Sequence, residues 1–586
     1  MDQAAPDMSE KTEKPENDKD YKYSPKHSFI FGWFFLQGLC VATRRKDKKQ
    51  NRERNSTIEL RSGALPKKIF PCTAKSRIGR EQPWMRNVLF WIDSARIKRF
   101  PGLERNVNVD IVVVGAGITG ITTAHLLKET GLTVALIERE RVASMDTGHT
   151  TAHLTCITDV ELQELARNFG DDHAQAAWDA GAAAIDGIQK IVQNEQIECE
   201  FTRVPAYVHV CGDSVSQKEI SRLKKEASIG AKLGFDATYL ESVPYFNLPG
   251  VRYPNQAKFH PRKYLRALAG KVPGNGSHIF EKSAASEFDA KKSRVKANRN
   301  WINFDRVVMA TNNPLVGLAH ITAATLLQTK LSLYTSYAFG VHVPSGTVPE
   351  ALFWDTRDPY DYLRVDRCRG FDYLIYGGED HKTGQKNQTE KAYARLRARL
   401  KNIIPKARVD HHWSGQVICT PDGLPYIGEN AERQFIATGY CGNGITFGTV
   451  AAIMARDWAT KRTNPWKDLF AVDRKKIKGA TWNYLRENKD YPYYMVKDRI
   501  TRPEADSVRE VRCGEGMIIG SRDKKIAAFR DREGDLFQLS PVCPHLGCHV
   551  RWNSAESTWD CPCHGSRFKP TGEVIAGPAE DGLTPV

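Results

Sequence analysis

The sequence predicts an α/β protein that ends in a small all-β module, and three observations carry that prediction. An apolar strand, Val109-Asp110-Ile111-Val112-Val113-Val114, runs straight into Gly115-Ala-Gly117-Ile-Thr-Gly120 and then into a helical stretch. Further along, several aromatic or alternating segments carry the period of antiparallel strands. The last 44 residues hold Cys543-Pro-His545, fifteen residues, and then Cys561-Pro-Cys563-His564.

The chain opens on a basic leader. Of its net charge of +16, most lies in residues 1–105, which hold 23 Lys and Arg against 13 Asp and Glu. The remainder is close to balanced for its length, so the charge reads as a solvated tail, and no nucleic-acid partner is expected. Residues 28–43 form an apolar run with Gln37 inside and Arg44-Arg45-Lys46 behind it. It falls short of the roughly 20 residues needed to span a bilayer, and no clean cleavage site for a secretory signal follows. Residues 1–82 are therefore expected to be a disordered basic leader, with peripheral membrane association through Ser28 to Thr43 as the alternative. At 586 residues the chain is long enough for two or more domains. Four of the 13 cysteines sit in the C-terminal motif and the other nine are scattered singly, which points to a reducing compartment, the cytoplasm.

The nucleotide unit follows. After the glycine-rich turn and a helix over 121–130, a second strand over 133–137 ends at Glu138. In a Rossmann-like unit each part has a physical task. Gly115 permits the tight turn, Gly117 lets backbone approach a pyrophosphate, and Gly120 packs helix on strand. The helix N-terminus faces the phosphates, and Glu138 takes the ribose hydroxyls. Residues 171–196 are rich in Ala with apolar residues at helical spacing and read as a long amphipathic helix. A strand over 305–310 ends in Thr311-Asn312-Asn313-Pro314. Segments 331–343, 360–365 and 372–377 then read as strands of an antiparallel sheet that would wall a substrate cavity. A strand near Phe435 leads into Gly442-Asn-Gly444-Ile-Thr446 and a helix through Thr460. A charged stretch, 474–503, links to the C-terminal module. The expected domains are 83–500 and 505–586, with nucleotide and substrate parts interleaved in the first.

The C-terminal spacing is the ligand pattern of a Rieske 2Fe–2S cluster: thiolates of Cys543 and Cys561 on one iron, imidazoles of His545 and His564 on the other. Zinc at the same ligands is the weaker alternative. Replacing two thiolates by imidazoles removes negative charge and places the potential at about −150 to +300 mV. Such a cluster moves one electron at a time, so another part of the chain must supply or consume electrons.

Taken together, Gly115–Gly120 with Glu138, Thr147-Gly-His-Thr-Thr-Ala152, Gly377-Gly-Glu-Asp-His381, Trp413-Ser-Gly415 through Asp422-Gly-Leu-Pro-Tyr-Ile-Gly428, Gly442–Thr446 and the cluster motif resemble the D-amino-acid-oxidase-like superfamily of FAD-dependent amine and amino-acid oxidoreductases. Within it, the chain resembles the bacterial subgroup with a fused C-terminal Rieske domain. The resemblance implies FAD as the nucleotide, held by Gly115, Gly117, Gly120, Glu138, Thr150, Gly442, Gly444 and Thr446. The turn at Gly442 and Gly444 would approach the isoalloxazine, and the helix behind it would direct a positive N-terminus at the reduced flavin. The Rieske module is similar to that of cytochrome bc-type complexes. By that likeness Cys548 and Cys563 would form a disulfide tying the two ligand loops together; two free thiols are the alternative. Ser566 matches a hydroxyl donor of those proteins, whereas Phe568 stands where they carry Tyr, which should lower the potential.

His260, Trp354, Glu379 and His381 fall in segments that would line the substrate cavity, with His260, Glu379 and His381 as candidate catalytic residues. Each also has an ordinary reading as a satisfied polar residue at a strand end. His149 and His153 would pass the flavin, more as packing than as a covalent attachment. His549 reads as a surface residue. The function expected is oxidation of a small amine or amino acid, with electrons passing through the cluster to a one-electron acceptor protein or quinone. An NAD(P)H-linked reductase is weaker, because one dinucleotide motif is found where two are expected. A Rieske oxygenase needs a mononuclear iron domain after the cluster, and 22 residues follow His564. A non-enzymatic redox sensor is a further alternative. The two domains read as separable, so removal of the module near residue 500 is expected to leave substrate oxidation intact.

Overall fold

A computed structural model describes residues 89–212, 215–386, 388–474 and 486–586. The leader and its apolar run lie outside the described residues. Among the described residues no helix is long and apolar enough to cross a membrane.

Strand Val107–Val114 sits at the centre of a parallel sheet, between Asn300–Met309 and Val134–Ile137. Gln434–Thr438 extends the sheet on one side and His278–Phe280 on the other, both parallel, and Tyr426–Ala431 adds an antiparallel edge. Ile111, Val112 and Val113 are completely buried because both faces of the sheet are covered, and such strands read as unbroken apolar runs. The covering helix Ile118–Glu129 is itself sandwiched, with every residue from Ile118 to Leu127 buried. It packs against Gly444–Ala459, and the approach is close: a Cβ at Gly448 would lie 2.7 Å from Thr119 Oγ1.

The second sheet is mainly antiparallel. Arg408–Cys419, Ser332–Val343, Phe371–Lys382, Tyr362–Cys368 and Leu352–Asp355 run as neighbours, followed by Thr202–His209, Gly250–Lys258 and His153–Leu154. Helix Glu390–Ile403 covers one face, where Leu396 and Leu400 pack with Phe339 and Leu374. The other face is left for the site. Successive side chains of a strand point to opposite faces. Tyr337 and Phe339 therefore meet Tyr393 of the covering helix, while Ser336 and Ala338 face the cavity.

The C-terminal module consists of a three-stranded and a four-stranded antiparallel sheet, with the Cys/His loops projecting from them. This is the predicted class, α/β with a small all-β appendage. One connection differs from its expectation. Within the charged stretch before the module, Asp490–Ile500 is an α-helix. Tyr491, Tyr494 and Met495, at helical spacing, pack on the module's core, and Arg551 Nε donates to Asp498 at 3.1 Å. His549 is accordingly half-buried, its Nδ1 3.2 Å from the Asp498 carbonyl oxygen.

Candidate active site and metal centre

A cavity of about 390 Å³ opens at the C-terminal ends of the parallel strands and continues to the bare face of the second sheet. Gly115 has φ +100°, and a Cβ there would meet the Ala310 carbonyl at 2.7 Å. A Cβ on Gly120 would lie 1.8 Å from the Gly115 carbonyl oxygen, so this glycine sets the contact between helix and strand. Gly120 is not part of the cavity wall, whereas Gly115, Gly117, Glu138 and Thr150 are. Glu138 accepts from the backbone N–H of Ala116 and of Glu140, both at 2.8 Å. Burial raises its pKa, and those two N–H donors oppose the rise. Glu138 thus braces the glycine loop from beneath, with its carboxylate on the cavity wall. The loops quoted from the sequence also meet: Trp413 Nε1 donates to the His149 carbonyl at 2.9 Å. At the far end, Gly442 has φ +80° and is pressed on Asp159, whose Oδ2 would lie 2.7 Å from a Cβ. Gly442 and Gly444 line the cavity. Thr446 does not; its hydroxyl donates to the Thr155 carbonyl at 2.9 Å and locks the helix to the neighbouring chain. A glycine-lined cradle with a carboxylate at one end suits a dinucleotide, and FAD fits it.

His149 and His153 both line the cavity. His149 Nδ1 lies 2.8 Å from the Met145 carbonyl oxygen. His153 is driven down to about 3, first by burial and then by Arg364, so it is a neutral imidazole; its Nε2 is buried without a hydrogen-bond partner.

The three candidate catalytic residues lie elsewhere. His260 is the N-cap of helix Pro261–Lys271 and lies 3.0 Å from Ser94 Oγ; burial lowers it to about 3. Glu379 faces the covering helix and accepts from Arg395 Nε at 2.9 Å and Arg399 Nη1 at 2.8 Å. Burial pushes its carboxyl up, but hydrogen bonds from Arg395, Arg399 and Lys386 outweigh that and hold it at about 2. His381 stacks on Tyr337, ring centroids 5.6 Å apart, on the same face. None of the three lines the cavity. Between Glu379 and His381 stands the residue that does, Asp380, and with it Asp159, Tyr360, Tyr362 and Trp354. Asp380 Oδ1 is buried without a hydrogen-bond partner, and burial raises the group to about 7. Asp159 rises to about 6 for the same reason and accepts from Tyr360 at 2.9 Å. Strict alternation over Gly377–His381 is the signal that separates Asp380 from its neighbours, but the positive φ of Glu379 and the irregular pairing near Thr335 obscure it.

At the metal centre, Cys543 and Cys561 are buried and free, near enough for their sulfurs to share a hydrogen bond. The imidazoles of His545 and His564 face each other edge to plane, centroids 4.9 Å apart. His545 Nδ1 is a buried nitrogen with no partner. Ser566 and backbone N–H groups of both loops donate to the two sulfurs. Two thiols, two imidazoles and an orphaned ring nitrogen fit a 2Fe–2S cluster. Cys548 and Cys563 form a disulfide joining the loops. Phe568 is fully buried in the same core as the four cysteines. The loops press on the α/β part of the chain. Gln416 lines the cavity and its Nε2 donates to the Gly565 carbonyl at 2.8 Å. Gln385 donates to the Pro562 carbonyl at 2.9 Å, and His545 Nε2 lies 3.2 Å from Gln328 Oε1.

The model of the DAO family, described as FAD dependent oxidoreductase, matches residues 110–458, and that of the Rieske [2Fe-2S] domain matches residues 503–586. A curated relative, the Rieske 2Fe-2S iron-sulfur protein YhfW of Bacillus subtilis (strain 168), is 32% identical over 499 residues, which span 84% of this chain and 96% of that one. The cytochrome b6-f complex iron-sulfur subunit of Chlorobaculum thiosulfatiphilum is 42% identical over 69 residues, 12% of this chain and 38% of that one. Among solved structures, a glycine oxidase from Geobacillus kaustophilus superposes with a TM-score of 0.53 at 17% identity, covering 63% of this chain and 99% of that chain.

Proposed function

Because this chain belongs to the DAO family of FAD-dependent oxidoreductases and ends in a Rieske 2Fe–2S domain, we propose that it oxidises a small amine or amino acid and delivers the electrons one at a time to an external acceptor, a protein or a quinone. When bound, the two groups supply acceptance of a hydride from the amine-bearing carbon, leaving an imine for water to hydrolyse, and storage of single electrons at the iron pair. Gly115, Gly117 and the N-terminus of Ile118–Glu129 would hold the pyrophosphate, with Glu138 at the ribose. The turn at Gly442 and Gly444 and the helix it opens would face the ring system. Among the described residues on the cavity wall, those beside that turn that could meet substrate are Asp159, Tyr360, Tyr362 and Asp380.

One observation carries the reading: Gln416 touches both the cavity and, through the Gly565 carbonyl, the loop that bears His564. A single side chain therefore separates the redox site from the cluster's ligand loop, which suits a relay within one chain. The partial likeness to a glycine oxidase supports the amine or amino-acid substrate, and that to a cytochrome b6-f iron–sulfur subunit supports transfer to an electron-carrying partner. In an anaerobic stopped-flow experiment, substrate is expected to bleach the flavin absorbance before the cluster spectrum changes. Cluster reduction ahead of flavin bleaching would reverse the direction of flow and defeat the proposal.

A further inference from the structure

We propose that the cavity end walled by Asp159, Asp380, Tyr360, Tyr362 and Trp354 is a cation site, so that the substrate is an alkyl- or arylammonium amine without an α-carboxylate. The inference rests on the function proposed above and names its substrate class. Charge placement is its first support. Among the described residues that line the cavity, Arg139 and Arg141 are the only arginines and there is no lysine. Both follow directly on the strand that ends at Ile137 and on its acid Glu138, at the nucleotide end. Arg139 Nη2 donates to the Ile575 carbonyl at 2.6 Å, and Arg141 is committed to Glu281 and the Ile97 carbonyl. Neither is placed to receive a substrate carboxylate beside the Gly442 turn.

At the opposite end two carboxyl groups, Asp159 and Asp380, stand among described lining residues that include no arginine or lysine. Asp159 sits against Gly442 and is held by Tyr360. Asp380 has one oxygen buried without a partner, and the charge of Asp159 adds to the cost of ionising it. Two carboxylates in a shared recess are stable together when a cation stands between them. Tyr362, hydrogen-bonded to Ser336 at 2.9 Å, stands 6.1 Å from Tyr360, centroid to centroid. With Trp354 they form an aromatic wall, and aromatic faces attract an ammonium group within about 6 Å. An α-carboxylate would meet like charge and no cationic donor here, which rejects it.

The test uses the holoprotein and two probes that cannot be oxidised by hydride loss at an amine-bearing carbon: benzyltrimethylammonium, a cation, and benzoate, its anionic counterpart. Titration followed by the flavin visible spectrum is expected to give saturable binding of the cation at least tenfold tighter than of benzoate. Asp380→Asn should weaken the cation at least tenfold while Asp380→Glu retains it. Tighter binding of benzoate, or unchanged cation affinity in Asp380→Asn, overturns the proposal, and the wild-type comparison decides even if a variant fails to fold. Anaerobic flavin bleaching then separates the two levels. Benzylamine or 1,4-diaminobutane should bleach the flavin, and glycine or proline should not. Bleaching by the amino acids alone overturns the cation site and leaves the oxidoreductase reading standing. Cation binding with bleaching by neither class overturns that reading and leaves the site.

Discussion

Asp380 shows how much one residue's environment decides. Its neighbours in sequence, Glu379 and His381, are the more eye-catching acid and base, yet Glu379 is neutralised by Arg395 and Arg399, and His381 is stacked away from the cavity. Asp380 is hydrogen-bonded by Ser336 and lies within reach of the charges of Asp159, Asp361 and Glu379. Burial lifts it to about 7, so the folded protein binds its proton more tightly than the unfolded chain does. Below pH about 4 the group is protonated in both states and stability is unaffected. As pH rises from there through 7, stability is lost. Three pKa units correspond to about 4 kcal/mol, and half of that, about 2 kcal/mol, is a fair expectation for a group on a cavity wall. Asp380→Asn should therefore unfold at the same temperature as wild type near pH 4 and several degrees higher at pH 8 without ligand. Equal melting temperatures at pH 8 would show that the carboxylate is not desolvated.

At the scale of the element, the glycine fingerprint was legible because two of its glycines, Gly115 and Gly120, answer backbone requirements that no other residue meets. Gly120 is the sharpest case: a Cβ there would lie 1.8 Å from the Gly115 carbonyl oxygen, and backbone cannot step aside as a side chain can. Gly120→Ala should cost about 3 kcal/mol or more and release flavin, because helix Ile118–Glu129 must lift off its strand. Gly270, inside helix Pro261–Lys271 with nothing within 4 Å of its missing Cβ, is the contrast. Gly270→Ala should be neutral or stabilising by up to about 1 kcal/mol. Chemical denaturation of the two variants, with flavin content after desalting, checks both; a stable, yellow Gly120→Ala protein would contradict the packing argument. The linker helix Asp490–Ile500 was illegible for a related reason. Its composition is charged, and its apolar spacing at Tyr491, Tyr494 and Met495 has meaning only once the Rieske core is there to receive it.

At the scale of the whole molecule, the two domains are not the independent units that their sequence suggests. Ile575, Ala576, Gly577, Ala579 and Glu580 of the Rieske domain form part of the cavity wall, and Arg139 donates to the Ile575 carbonyl at 2.6 Å. Thr389 to Asn553 at 2.7 Å and Tyr393 to Glu556 at 2.9 Å tie the covering helix to the same domain. The expectation that removal of the module near residue 500 leaves substrate oxidation intact is revised on these contacts. The truncated protein should lose flavin on gel filtration, seen as a fall in the visible-to-280 nm absorbance ratio, and should regain reducible flavin only with excess FAD. Retention of flavin equal to the full-length protein would mean that the wall contributes nothing to binding.

By itself the sequence determined the fold class, the glycine-rich turn that opens the first helix of the parallel sheet, and the two Cys/His loops of the C-terminal domain. Each of these is local: a turn needs glycine at set spacing, a buried strand needs an unbroken apolar run, and a cluster needs two Cys/His arms on adjacent loops. Tertiary structure alone decided which polar residues face the cavity, because that depends on strand register. In Phe371–Lys382, a shift of one residue exchanges Glu379 and His381 for Asp380. It also decided that the Rieske loops rest on the flavin domain through Gln416 and Gln385, a contact between residues some 150 apart in the chain for Gln416 and Gly565. No local pattern announces such a contact, since a glutamine donating to a carbonyl has the same composition anywhere on a surface.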